Sequence, residues 1–142
     1  MATGEQKAVL MADDDEEDCF LAREAFDASG AMATFTSVED GLKLMDYLSE
    51  RSRAHPSGLP ALILLDLNMP LKDGREALLE IKSQPALQHI PIVILTTSEE
   101  EKDIAFSLKA GAHSFITKPA TFDEWVRIMK SLAELWLGRP VT

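Results

Sequence analysis

The sequence predicts an α/β fold built on a five-stranded parallel sheet with helices on both faces. Two continuous apolar runs, Ala61 to Leu67 (ALILLDL) and Ile92 to Thr97 (IVILTT), read as strands covered on both sides, since a half-exposed strand would alternate. Strand-like and helix-like stretches also alternate five times along the chain. Finally, 142 residues that are 46% hydrophobic suffice for one core without staples, and the lone Cys19 permits no disulfide within the chain.

The elements follow in order. Lys7 to Ala12 (KAVLMA) is the first strand, and it runs straight into the acidic stretch Asp13 to Asp18. From Glu17 to Ser29, Leu21, Ala22, Ala25 and Phe26 recur at helical spacing, and Ser29-Gly30 supplies the stop. Thr34 to Val38, mostly β-branched or aromatic, is the second strand, and Asp40-Gly41 precedes a helix carrying Leu42, Leu44, Met45 and Leu48. Arg51 to Pro60 (RSRAHPSGLP) is expected to be an exposed loop. The two apolar runs are the third and fourth strands. Between them Gly74 to Ser83 is helical, with Ala77, Leu78 and Ile81 on one face and Pro85 as its limit. Ser98 and Glu101 are spaced as a capping box for a fourth helix whose expected buried stripe is Ile104, Ala105 and Leu108, before Ala110-Gly111. Ser114 to Thr117 (SFIT) is the fifth strand. Thr121 and Glu124 make a second capping box, opening a helix with Phe122, Trp125, Val126, Met129, Leu132, Ala133 and Trp136 in one stripe. Right-handed crossovers then fold five strand–helix repeats into one sheet.

Charge narrows the function. With 14 Lys and Arg against 24 Asp and Glu, the net charge is −10, which opposes a phosphate backbone and argues against direct nucleic-acid binding. The longest apolar run, Ala61 to Leu65, falls far short of the roughly 18 residues of a membrane span, so no membrane role is expected. No secretory signal pattern opens the chain, and a cytoplasmic, reducing setting is expected. Partners should be proteins or small molecules.

Parallel sheets of this kind bind ligands at the carboxyl ends of their strands, where the strand order reverses. Asp13 and Asp14 follow the first strand, Asp66 ends the third, Thr96 closes the fourth and Lys118 follows the fifth. Crowded carboxylates raise one another's pKa unless a cation lies between them, so the cluster implies a divalent ion, and all-oxygen ligands favour Mg2+. Lys118 adds a fixed positive charge, and Thr96 a hydroxyl for an incoming oxyanion. The set suits phosphoryl transfer to an aspartate nucleophile.

These residues resemble the CheY-like receiver domains of bacterial response regulators. The matching pieces are VLMADD at 9 to 14, LLDLNMPLKDG at 64 to 74, ILTTS at 94 to 98 and FITKP at 115 to 119. Four pieces in the right order, each at an expected strand end, make the resemblance specific. It implies a flavodoxin-like, doubly wound (βα)5 fold with strand order 2-1-3-4-5, an order for which CheY is a standard example. It further implies Asp66 as phosphoacceptor, Asp13 and Asp14 as the acidic pair, and the backbone carbonyl of Asn68 as a magnesium ligand. Thr96 and Lys118 match the switch hydroxyl and the invariant lysine. Phe115 takes the place of the switch aromatic, without the hydroxyl of the tyrosine often found there. The third acid, Asp15, leaves the register of the acidic pair open by one residue; Asp13 and Asp14 are chosen because they directly follow the strand.

A narrower resemblance lies in DDDEEDCFLAREAF, LLDLNMP, LTTSEEEKDI and SFITKPATFDEWVRIMKSLAELW, similar to single-domain regulators paired with phytochrome-type sensor histidine kinases. It implies a single receiver domain over 1–142 with no output domain, phosphorylated by such a kinase and signalling to a downstream protein that the sequence does not name. Two rivals are a phosphate-independent adaptor and a magnesium-dependent phosphatase working through an aspartyl phosphate; against the second, Asn68 stands where such enzymes carry a second acid. A homodimer through the fourth and fifth helices is a further expectation, as is a contact patch of Phe106, Trp136 and Leu137. Other features carry ordinary roles. Glu16, Glu17 and Asp18 read as a solvated first helical turn, Asp18 stands where an EF-hand needs glycine, and His55, His89 and His113 lie in loops without ligand spacing. Cys19 has no basic neighbour to activate it.

Overall fold

The computed structural model describes residues 7–138. In chain order it contains β1 (Lys7–Ala12), α1 (Glu16–Ala28), β2 (Ala33–Val38), α2 (Gly41–Ala54), a 3-10 turn (Pro56–Gly58), β3 (Leu62–Leu65), α3 (Gly74–Ser83), β4 (Ile92–Thr96), α4 (Glu101–Lys109), β5 (Ser114–Thr117) and α5 (Phe122–Trp136). All strand pairings are parallel and the order is β2-β1-β3-β4-β5. The order reverses between β1 and β3, which places the carboxyl ends of those two strands beside the crevice where ligands collect.

Side-chain alternation along each strand divides the core in two. On one face Leu10, Ala12, Ile63, Leu65, Ile92 and Ile94 meet Leu44 and Leu48 of α2 and Leu78 and Ile81 of α3. On the other, Val9, Met11, Leu62, Leu64, Val93 and Leu95 meet Ala22 and Phe26 of α1 and Trp125, Met129 and Leu132 of α5. Both faces of β3 and β4 are therefore buried, which is why their sequences run apolar without alternation.

Four local expectations are corrected. The expected loop from Arg51 is helical as far as Ala54: the Arg51 guanidinium lies over the Tyr47 ring one turn back, at 5.2 Å, and Pro56 ends the run. Ser98 does not cap α4. Glu100 occupies the cap position without a side-chain hydrogen bond, and Ser98 Oγ donates to Asp103 Oδ2 at 2.6 Å. The helix accordingly turns Asp103 and Ser107 inward, leaving Ile104 half-buried and Ala105 and Leu108 exposed. On α5, Phe122 at the head of the expected stripe is exposed, because it precedes the turn that docks on the sheet. The Thr121 cap forms as expected, accepting from the Glu124 amide at 3.2 Å.

Candidate functional site

The site is assembled by four strand ends. Asp13 follows β1 directly, is 2% exposed, and is tied down by its amide, which donates to the Val38 carbonyl at 3.0 Å. The next two acids diverge. Asp14 points to solvent, whereas Asp15 is the N-cap of α1 and accepts from the amides of Glu17 and Asp18 at 3.0 and 3.1 Å. Capping thus engages Asp15 Oδ1 with the backbone of the first helical turn.

Asp66 follows β3 and is 6% exposed. Its Oδ1 accepts from Thr96 Oγ1 at 2.7 Å and from the Asn68 amide at 3.1 Å; its Oδ2 accepts from Lys118 Nζ at 3.1 Å. Gly74 makes this loop close: a Cβ there would lie 2.1 Å from the Asp66 carbonyl oxygen, so only glycine lets α3 begin beneath the site. Thr96 is fully buried at the end of β4. Lys118 is aligned by its amide, which donates to the Thr96 carbonyl at 2.7 Å. Phe115 is half-buried and packs on the α2–α3 side of the core. The Asn68 side chain is exposed.

Lys118 Nζ also lies 2.7 Å from Asp13 Oδ2 and 2.7 Å from Asp18 Oδ2. Asp18 is therefore not the solvated acid the sequence suggested. Its only sequence signal is position: in the first turn of a helix that starts at a functional strand end, its side chain returns toward the strand ends. Burial pushes the Asp13 carboxyl up to about 6, against the lowering effect of Lys118. Burial by itself would lower the Lys118 ammonium, but Asp13, Asp18 and Asp66 outweigh it and hold the group protonated above its ordinary value. Cys19 borders the site, and burial together with Asp13 raises its thiol to about 11, which disfavours the thiolate.

Asp13, Asp14 and Asp66 each bring a carboxylate oxygen to within 4.8 Å of the others. Asp13 Oδ2 is buried and, though close to Lys118, accepts no aligned hydrogen bond. An oxygen-only trio with an underused buried acceptor fits a hard divalent cation. An open groove of about 450 Å³, lined by Asp13, Asp14, Phe20 and Arg23 among others, gives access.

A second polar cluster, not foreseen in the sequence, lies between α3 and α4. Arg75 donates to Asp103 Oδ1 through Nε at 3.1 Å and Nη2 at 2.8 Å, and to Asp73 Oδ2 through Nη1 at 3.1 Å. The Ser98 hydroxyl and Arg75 hold the Asp103 carboxyl below its ordinary range.

The arrangement has known counterparts. The sequence profile of the response regulator receiver domain matches residues 9–130. Response regulator Rcp1 of Synechocystis sp. is 36% identical over 131 residues, 92% of this chain and 89% of that protein. Among solved structures, the phosphorylated cyanobacterial phytochrome response regulator RcpA superposes with a TM-score of 0.85 at 39% identity, covering 96% of this chain and 98% of that one. The Mn2+-bound form of response regulator Rcp1 gives 0.82 at 35% identity, covering 95% and 97%. Strand order, the acids at the strand ends and these likenesses agree: the chain belongs to the response regulator receiver domains of two-component signalling.

Proposed function

We propose that Asp66 accepts a phosphoryl group from the phosphohistidine of a sensor kinase. One Asp66 carboxylate oxygen attacks phosphorus, the phosphorus–nitrogen bond breaks, and the imidazole nitrogen leaves with the bonding pair. The observation that carries this reading is the placing of Asp66 between Lys118 on one oxygen and Thr96 on the other, with Asp13 and Asp14 alongside. Lys118 supplies a cation at Asp66 Oδ2, where a phosphoryl oxygen would gather charge, and the Thr96 hydroxyl is placed to turn from Asp66 Oδ1 to such an oxygen. Asp13, Asp14 and Asp66, with the Asn68 backbone carbonyl, would hold Mg2+. Bound there, the ion would offset the negative charge of the phosphoryl oxygens. Phe115, packed beside β4, would follow Thr96 and carry the change outward by packing alone.

The likeness to RcpA and Rcp1 supports a phytochrome-type histidine kinase as phosphodonor, with output by contact with a further protein. No described helix is long and apolar enough to cross a membrane. Exposed Leu108 on α4 and Leu135 on α5 support pairing of two copies through those helices, which sedimentation with and without phosphorylation would test.

Incubation with Mg2+ and acetyl phosphate, read by intact mass, tests the central reading. Wild type should gain one phosphoryl group and Asp66→Asn none. Labelling of both proteins would displace Asp66 as the acceptor. No adduct on either, and no response to fluoroberyllate, would favour the adaptor, while sustained turnover of a small phosphate ester would favour the phosphatase.

A further inference from the structure

Lys118 sits among three carboxylates, and the proposed chemistry uses only two of them. Its Nζ lies 2.7 Å from Asp13 Oδ2, 2.7 Å from Asp18 Oδ2 and 3.1 Å from Asp66 Oδ2. Two of these carboxylates, Asp18 and Asp66, accept hydrogen bonds from the ammonium, and Asp13 meets it as a charge. A divalent ion would draw on the charge of Asp13 and Asp66, and phosphorylation would convert one Asp66 oxygen into a bridging oxygen. Asp18 is engaged by neither process. It stands outside the trio of Asp13, Asp14 and Asp66, on the first turn of α1, and its side chain is 22% exposed where those of Asp13 and Asp66 are 0% and 7%. Its contact is also the better formed of the two shortest: Asp18 Oδ2 accepts an aligned hydrogen bond, whereas Asp13 Oδ2 does not.

We propose that Asp18 is a positioning residue for Lys118, retaining the ammonium at the site when Asp13 is given over to a divalent ion and thereby strengthening ion binding. This rests on the reading of Asp13, Asp14 and Asp66 as the ion's ligands. A buried ammonium that loses a carboxylate is costly unless another full charge remains beside it. Asp18 provides that charge; an amide in its place would provide only a neutral acceptor. The same contact joins residues 100 positions apart in sequence, so it ties the first turn of α1 to the end of β5.

Calorimetric titration of Mn2+ into wild type, Asp18→Asn, Lys118→Met and the double variant tests this, with far-UV circular dichroism as the check of folding. Asp18→Asn should weaken Mn2+ binding by about fivefold, and by less than about twofold once Lys118 is replaced, because the effect runs through the lysine. Lys118→Gln serves if Lys118→Met does not fold. Equal weakening in both backgrounds would overturn the proposal, making Asp18 a through-space charge. No weakening in either would overturn it too, leaving Asp18 an ordinary helix-turn carboxylate. Failure of wild type to bind Mn2+ would overturn the ion-site reading itself, and is recognisable because it precedes any comparison of variants.

Discussion

Helices α4 and α5 flank the edge strand β5 in the sheet's chain order and are held by opposite means. α5 is sunk into the core through Trp125, Met129 and Leu132, which are 2%, 1% and 5% exposed, and its N-terminus is capped by Thr121. α4 has no side-chain cap and turns two polar residues inward, Asp103 and Ser107. Its attachment is a clasp of hydrogen bonds from Arg75 and Ser98 to one carboxylate. An apolar stripe resists displacement in proportion to buried area, whereas a clasp of three hydrogen bonds depends on the one carboxylate that they share. Ser98 stands two residues after Thr96, so the clasp begins beside the candidate switch. The member of the pair with the smaller apolar anchor is thus the one whose clasp starts two residues from Thr96.

The largest effect is expected at Trp125. Trp125→Ala should cost about 3–5 kcal/mol in urea unfolding, since a fully buried indole leaves a cavity the sheet cannot close. A loss near that of an exposed residue would mean that α5 is not anchored by its stripe. Arg75→Met should cost less, about 1–3 kcal/mol, because Asp103 would keep only Ser98 as a partner while remaining buried. Hydrogen exchange would sharpen the point: amides of α4 should exchange faster in Arg75→Met while those of α5 do not change. Faster exchange in both helices would show that the clasp supports the whole edge rather than α4 alone.

The smallest effect is expected at Ser107. Its Oγ is buried without a hydrogen-bond partner, so Ser107→Ala should be neutral or stabilising by about 0.5–1 kcal/mol in the same unfolding experiment. A clear loss of stability would mean that the hydroxyl has found a partner and that α4 has a second polar anchor.

These two helices also mark where the sequence was legible. α5 was plain because apolar spacing and burial coincide along it. In α4 the same rule pointed to Ile104, Ala105 and Leu108, and failed because the helix is oriented by the pairing of Asp103 with Arg75, residues 28 positions apart. Nothing in local periodicity signals a partner that distant. Ser98 shows the same limit: its spacing to Glu101 suits a cap, but its oxygen accepts from the Glu100 amide, ahead of the helix, while its hydrogen goes to Asp103.

The sequence by itself determined the alternation of strands and helices, the burial of β3 and β4 on both faces, and the arrival of Asp13, Asp66, Thr96 and Lys118 at strand ends. Those features follow from local composition and from the rule that parallel strands require covered crossovers. Only the tertiary structure decided which of three consecutive aspartates faces inward, which caps a helix and which meets solvent. It alone also brought Asp18 to Lys118 and Arg75 to Asp103. The physical reason is common to all of these: a carboxylate's role is set by which donors surround it, and here the donors come from elements remote in sequence or from the backbone direction at a helix start.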